Sequence, residues 1–287
     1  MNSNDNKPRH IGKIQRFSSD FFRVTAYKSI MADMIVNSDS TESYAGLFGG
    51  MSGGALRGLN HEDKLAQSLS RTRSTVFEIM LCNPWEYFAT FTLNPQYERD
   101  NINVFRKQFT AWVKNYNARN NLSIKYIFIP EKHKDGINWH GHGAIMGLPV
   151  EHLTAFKQTD KIPKKMKKLI SKGRELYNWR AYSDKFGFVS LERIASHEAT
   201  AIYITKYITK DVTKTGIEIN KRMFYASKNL KRAEVLHEGE ILRDYFPDFE
   251  NEYVKIRTFS TLDEALMLFT DNRERSEENE YSENADD

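Results

Sequence analysis

The chain of 287 residues has one cysteine, Cys82, and no apolar run near the roughly 20 residues that cross a bilayer. A lone cysteine excludes an internal disulfide and a Cys-rich zinc module, so a reducing, cytoplasmic setting is expected. Met1 to Pro8 is polar and holds no apolar core, so neither a secretory signal nor a membrane partner is expected. A phosphate-cradling P-loop is also missing. The glycine-rich stretch 46–58 lacks the Gly-Lys-Ser/Thr ending that such a loop needs. It reads as a linker, and no ATPase or helicase module is expected.

Apolar mass is plentiful by contrast. Hydrophobic residues make up 40% of the chain, and four Trp, 14 Tyr and 18 Phe provide bulky packing groups. The length suits one substantial domain with extensions. The expected division is an N-terminal extension over 1–60, a main domain over 61–235, and a C-terminal extension over 236–287 with an acidic, disordered tail. The formal net charge is +4, but residues 272–287 alone carry −5, which leaves +9 on the rest. A basic body of this kind suits a polyanionic partner.

Periodicity predicts helices over 62–82 and 101–118 and strands over 85–93, 124–129, 139–147 and 186–194. The two middle strands form a hairpin through a turn that contains Asp135-Gly136. A Lys-rich helical region is expected over about 151–177. A helix to about 211 opens at Ser196 as its N-cap. The expected class is α+β, with a central antiparallel sheet and helices on one face, ferredoxin-like or RRM-like.

Two constellations carry chemistry. His140-Gly141-His142 sits on a strand, where residues two apart point to one face and can grip one metal ion. Glu131 across the turn is the expected third ligand, with His133 as its rival. A carboxylate suits the hard Mg²⁺ or Mn²⁺ that contacts phosphate oxygens. The second constellation is Tyr203-x-x-Lys206-Tyr207-x-x-Lys210. Four-residue spacing puts both tyrosines on one helical face. A tyrosine can act as a covalent nucleophile, and a lysine nearby can help it ionise or steer a phosphate. A metal that polarises a phosphate and a tyrosine that attacks it suit one reaction, cleavage of a DNA strand without water.

With these motifs in order, the chain resembles the HUH endonuclease superfamily, in particular the two-tyrosine rolling-circle replication initiators of phages and plasmids. Phe91-Thr92-Leu93-Asn94 resembles the first family motif, Trp139 to His142 the second, and Tyr203 to Lys210 the third. The second motif usually has a bulky hydrophobe between its histidines, and Gly141 departs from that. The resemblance spans about 65–235. It implies an HUH nickase domain, Mg²⁺ or Mn²⁺, a 5′-phosphotyrosine link, and single-stranded DNA at an origin hairpin. It also gives Thr92 and Asn94 a part in placing DNA. Lys164, Lys165, Lys167 and Lys168 lie in a basic segment with Lys157, Lys161, Lys172 and Arg174, which suits contact with a DNA backbone. With no motor module in the sequence, a host helicase and a DNA polymerase are the implied partners. A transposase or conjugative relaxase on the same fold, and a DNA-binding regulator without catalysis, are the alternatives.

Overall fold

The computed structural model describes residues 10–27, 61–94, 100–132, 137–210, 223–250 and 254–270. The expected linker at 46–58, the hairpin turn with His133, and the acidic tail lie outside the described residues.

The described strands are β1 (His10–Ser18), β2 (Phe21–Tyr27), β3 (Tyr87–Thr92), β4 (Lys125–Lys132), β5 (Trp139–Met146), β6 (Thr154–Ala155), β7 (Leu176–Asn178), β8 (Val189–Arg193), β9 (Tyr225–Ala226), β10 (Glu234–Ile241), β11 (Phe249–Glu250) and β12 (Val254–Phe259). The described helices are α1 (His61–Cys82), α2 (Ile102–Asn120), α3 (Lys164–Ile170), α4 (Arg180–Ser183), α5 (His197–Lys210) and α6 (Leu262–Leu266), with a 3₁₀ turn at Val150–His152. The chain divides into two compact units, residues 1–55 with 232–287, and residues 56–231.

The first unit is a five-stranded antiparallel sheet in the order β10-β1-β2-β12-β11. Strands from both ends of the chain therefore share one ladder, and Arg16 forms an ion pair with Glu234, 218 residues away. Ile14, Phe22 and Val24 bury against Ala265, Leu268 and Phe269, the last two just beyond α6. Sequence periodicity assigned no strand to 10–27. Lys13, Gln15 and Thr25 are buried there, which erases the polar-out alternation that marks a one-sided strand.

The second unit is a seven-stranded antiparallel sheet in the order β6-β7-β8-β3-β5-β4-β9. On one face, Tyr87, Ala89, Phe91 and Leu93 bury against Phe105, Phe109, Trp112 and Val113 of α2. Each such apolar side chain contributes roughly 1.5–3 kcal/mol on burial. Asn101 caps the start of α2 by accepting from the Val104 N–H, and Asn121 ends it in the left-handed conformation. The opposite face carries Phe88, Thr90 and Thr92 of β3 and His140 and His142 of β5. The tyrosine face of α5 meets it, while Ala201, Ile204 and Ile208 bury and α1 packs alongside.

The α+β class and the antiparallel sheet are those expected from sequence. In detail, helices take both faces of the sheet rather than one, because β3, β4 and β5 are apolar on both sides. The expected long helix over 151–177 is also replaced. Pro163 precedes a seven-residue helix, α3, and Gly173 at φ +79° ends the turn that follows it.

Candidate metal centre and tyrosine pair

Register builds the metal cluster. In the β4–β5 ladder Glu131 lies directly opposite His140, and in the β3–β5 ladder Thr90 lies opposite His142. Directly opposed residues share a face, so Glu131, His140, His142 and Thr90 meet. Nε2 of His140 and Nε2 of His142 lie 3.1 and 2.9 Å from the same oxygen of Glu131, Oε2. The three ligand atoms fall within 4.8 Å of one another. Two imidazole nitrogens and one carboxylate oxygen form a donor set that fits a divalent cation. The Thr90 hydroxyl is 3.3 Å from Nδ1 of His142, on the far side of that ring from the cluster. Such a bond fixes the ring and its tautomer.

The Gly141 position has a steric cause. A Cβ there would come within 2.0 Å of the Phe128 ring. Phe128 belongs to the core and reaches across the ladder into the volume that a bulky residue 141 would fill. This chain therefore supplies the apolar bulk from β4 in place of β5.

The tyrosines come from α5. Ser196 caps it, its hydroxyl accepting from the Ala199 N–H at 3.1 Å. Tyr207 stacks on His142, with ring centroids 3.9 Å apart and planes 19° apart. Its hydroxyl donates to the Tyr203 hydroxyl at 2.5 Å. Tyr203 packs edge-on against Phe88 and is 41% exposed. Burial pushes the Tyr207 phenol above its ordinary value, and the bond to Tyr203 and the charge of Glu131 push it the same way. Ionising that phenol therefore calls for positive charge close by.

The other sequence-predicted residues are spread more widely. Thr92 lines a groove beside Tyr203 and Tyr207, as does Lys165. Lys164 and Lys168 are exposed on α3 and Lys167 is half-buried. Asn94 lies just past β3, where its N–H donates to the Phe186 carbonyl. Lys206 is exposed on α5, and the side chain of Lys210 lies outside the described residues. Sequence reasoning missed Thr90, although it stands two residues before Thr92 and so on the same face.

An α+β unit with a His-His-Glu cluster beneath a tyrosine helix is the class that fold and site define. Residues 86–212 match a family model for the replication-associated proteins of the ORF2 class, and the match includes both histidines, Glu131 and both tyrosines. It supports a replication-associated protein of the initiator type. No curated protein and no solved structure matches the chain. Among the described residues, no helix is long and apolar enough to cross a membrane.

Proposed function

We propose that this chain is a rolling-circle replication initiator that nicks and rejoins single-stranded origin DNA through a 5′-phosphotyrosine intermediate. The stacking of Tyr207 on His142 carries this reading, because it sets a pair of candidate nucleophiles against a candidate metal centre. The expected cofactor is Mn²⁺ or Mg²⁺, held by Glu131, His140 and His142. Such an ion, when bound, withdraws charge from the oxygens of a scissile phosphate.

The remaining steps belong to the chain's own side chains. Thr90 holds the His142 ring so that Nε2 faces Glu131. The phenolic oxygen of one tyrosine attacks phosphorus and gives up its proton. The bond from phosphorus to the 3′ oxygen breaks, and that oxygen takes up a proton. One phosphoester is exchanged for another, so attack by a 3′-hydroxyl on the phosphotyrosine reverses the step and rejoins the strand. The second hydroxyl, 2.5 Å away, is placed to take part in a second cleavage while the first strand end is held. Lys206 and Lys210 steer the phosphate backbone. The 3′-hydroxyl primes a host DNA polymerase, and a host helicase opens the duplex.

Transposases and relaxases could use the same chemistry. The match to a replication-associated family favours the origin of replication as the DNA partner. Incubation of the full chain with single-stranded origin DNA and Mn²⁺ tests the reading. A protein–DNA adduct that survives denaturation is expected, and cleavage without an adduct would count against it.

A further inference from the structure

Beside the tyrosine pair runs a groove of about 690 Å³ that the metal cluster does not explain. Its floor is the β3–β8 surface. In that ladder Thr90 lies opposite Ser190, and Phe88 lies opposite Glu192. One wall is the face of α5 that carries Tyr203 and Tyr207. Towards the helix start that face continues as Ser196, Ala199 and Thr200, small residues at helical spacing that leave room beside the sheet. The facing wall is α3, with Lys165 and Met166.

Charge in the groove is layered. Lys165, Arg174 and Arg193 line it and are exposed, while Glu192 sits at the floor with its side chain 20% exposed. Arg174 pairs with Glu192. A floor carboxylate repels phosphate, and exposed cations attract it. A strand that enters is therefore turned with its bases inward and its backbone outward. The floor also offers aromatic surface. Phe188 is 36% exposed and stacks on Phe156 at 5.8 Å. Aromatic platforms bordered by cations are how proteins hold unpaired bases. The volume is that of a small-molecule site, roughly 300–1,000 Å³, and suits unpaired nucleotides rather than a duplex.

We propose that this groove holds the unpaired nucleotides next to the scissile phosphate, and that Glu192 selects among their bases by accepting a hydrogen bond from an exocyclic amine. Cytosine presents such a donor where thymine presents an acceptor. The position of the scissile phosphate rests on the nickase reading; the groove and its base contacts do not.

Binding without cleavage provides the test. The full chain in EDTA is titrated against labelled oligo-dC and oligo-dT of about ten nucleotides, and against a duplex of the same length, by fluorescence anisotropy. Unpaired DNA is expected to bind more tightly than the duplex. Phe188→Ala should weaken single-strand binding roughly 5- to 150-fold, the range for loss of one stacking platform. Lys165→Glu changes an exposed residue and should weaken it too, so the groove stays testable if Phe188→Ala misfolds. Glu192→Gln should change the ratio of oligo-dC to oligo-dT affinity by about fivefold or more. If Phe188→Ala melts like the parent and neither it nor Lys165→Glu alters affinity, the groove is not the DNA site. If Glu192→Gln lowers both affinities equally, Glu192 supports the fold and selects no base. Loss of the tyrosine adduct with these binding effects intact would overturn the nickase reading alone. An intact adduct without them would overturn this inference alone.

Discussion

The Tyr207 ring lies almost parallel to the His142 ring, with 3.9 Å between centroids. Through that contact a helix and a strand that are far apart in sequence fix each other. His142 is held from one side by Thr90 and from the other by Glu131, so the tyrosine helix takes its register from the metal cluster. The arrangement leads to four tests.

Metal binding should stabilise the protein. A cation that binds only the folded state adds about 2.7 kcal/mol at 100 times its Kd. For a unit of this size that is a rise in Tm of roughly 5–10 °C. Differential scanning fluorimetry with Mn²⁺ should show the rise, and EDTA should reverse it. Glu131→Gln and His142→Asn should remove it. An equal rise in both variants would place the ion elsewhere.

Thr90→Val keeps the shape and removes the hydroxyl that orients His142. Loss of such an outer partner lowers metal affinity about 10- to 100-fold. A Mn²⁺ titration followed by electron paramagnetic resonance measures it. Unchanged affinity would show that the hydroxyl does not orient the ring.

Much of this site could be read in the sequence, for local reasons. Two-residue spacing fixes a shared face for His140 and His142, and four-residue spacing does the same for Tyr203 and Tyr207. A short hairpin brings Glu131 opposite His140. What could not be read depends on partners far along the chain. β1 and β2 pair with strands more than 200 residues away, and their buried Lys13 and Thr25 hide the alternation. Glu192 and Arg174 look like ordinary surface charges until β8 is laid beside β3. The stretch 151–177 has a helical composition, yet Pro163 and the short strands β6 and β7 divide it.

Gly141→Ile would restore the bulk that the resemblance leads one to expect, and it should be harmful. Its Cβ meets the Phe128 ring, so overpacking should cost about 1–3 kcal/mol in urea unfolding. Phe128→Ala alone should cost about 3–5 kcal/mol. The double variant should cost less than the two together by more than about 0.5 kcal/mol, since the new side chain fills the space left by the ring. Strict additivity would contradict the account of Gly141.

The most direct test of the central claim is the site of the covalent bond. The full chain is incubated with single-stranded origin DNA and Mn²⁺, the adduct is digested, and the nucleotide-bearing peptide is sequenced by mass spectrometry. The account predicts a nucleotide joined through its 5′-phosphate to Tyr203 or Tyr207. It also predicts no adduct from Tyr203→Phe/Tyr207→Phe, with the Mn²⁺-induced rise in Tm retained. An adduct on any other residue, or cleavage by the double variant, would contradict it.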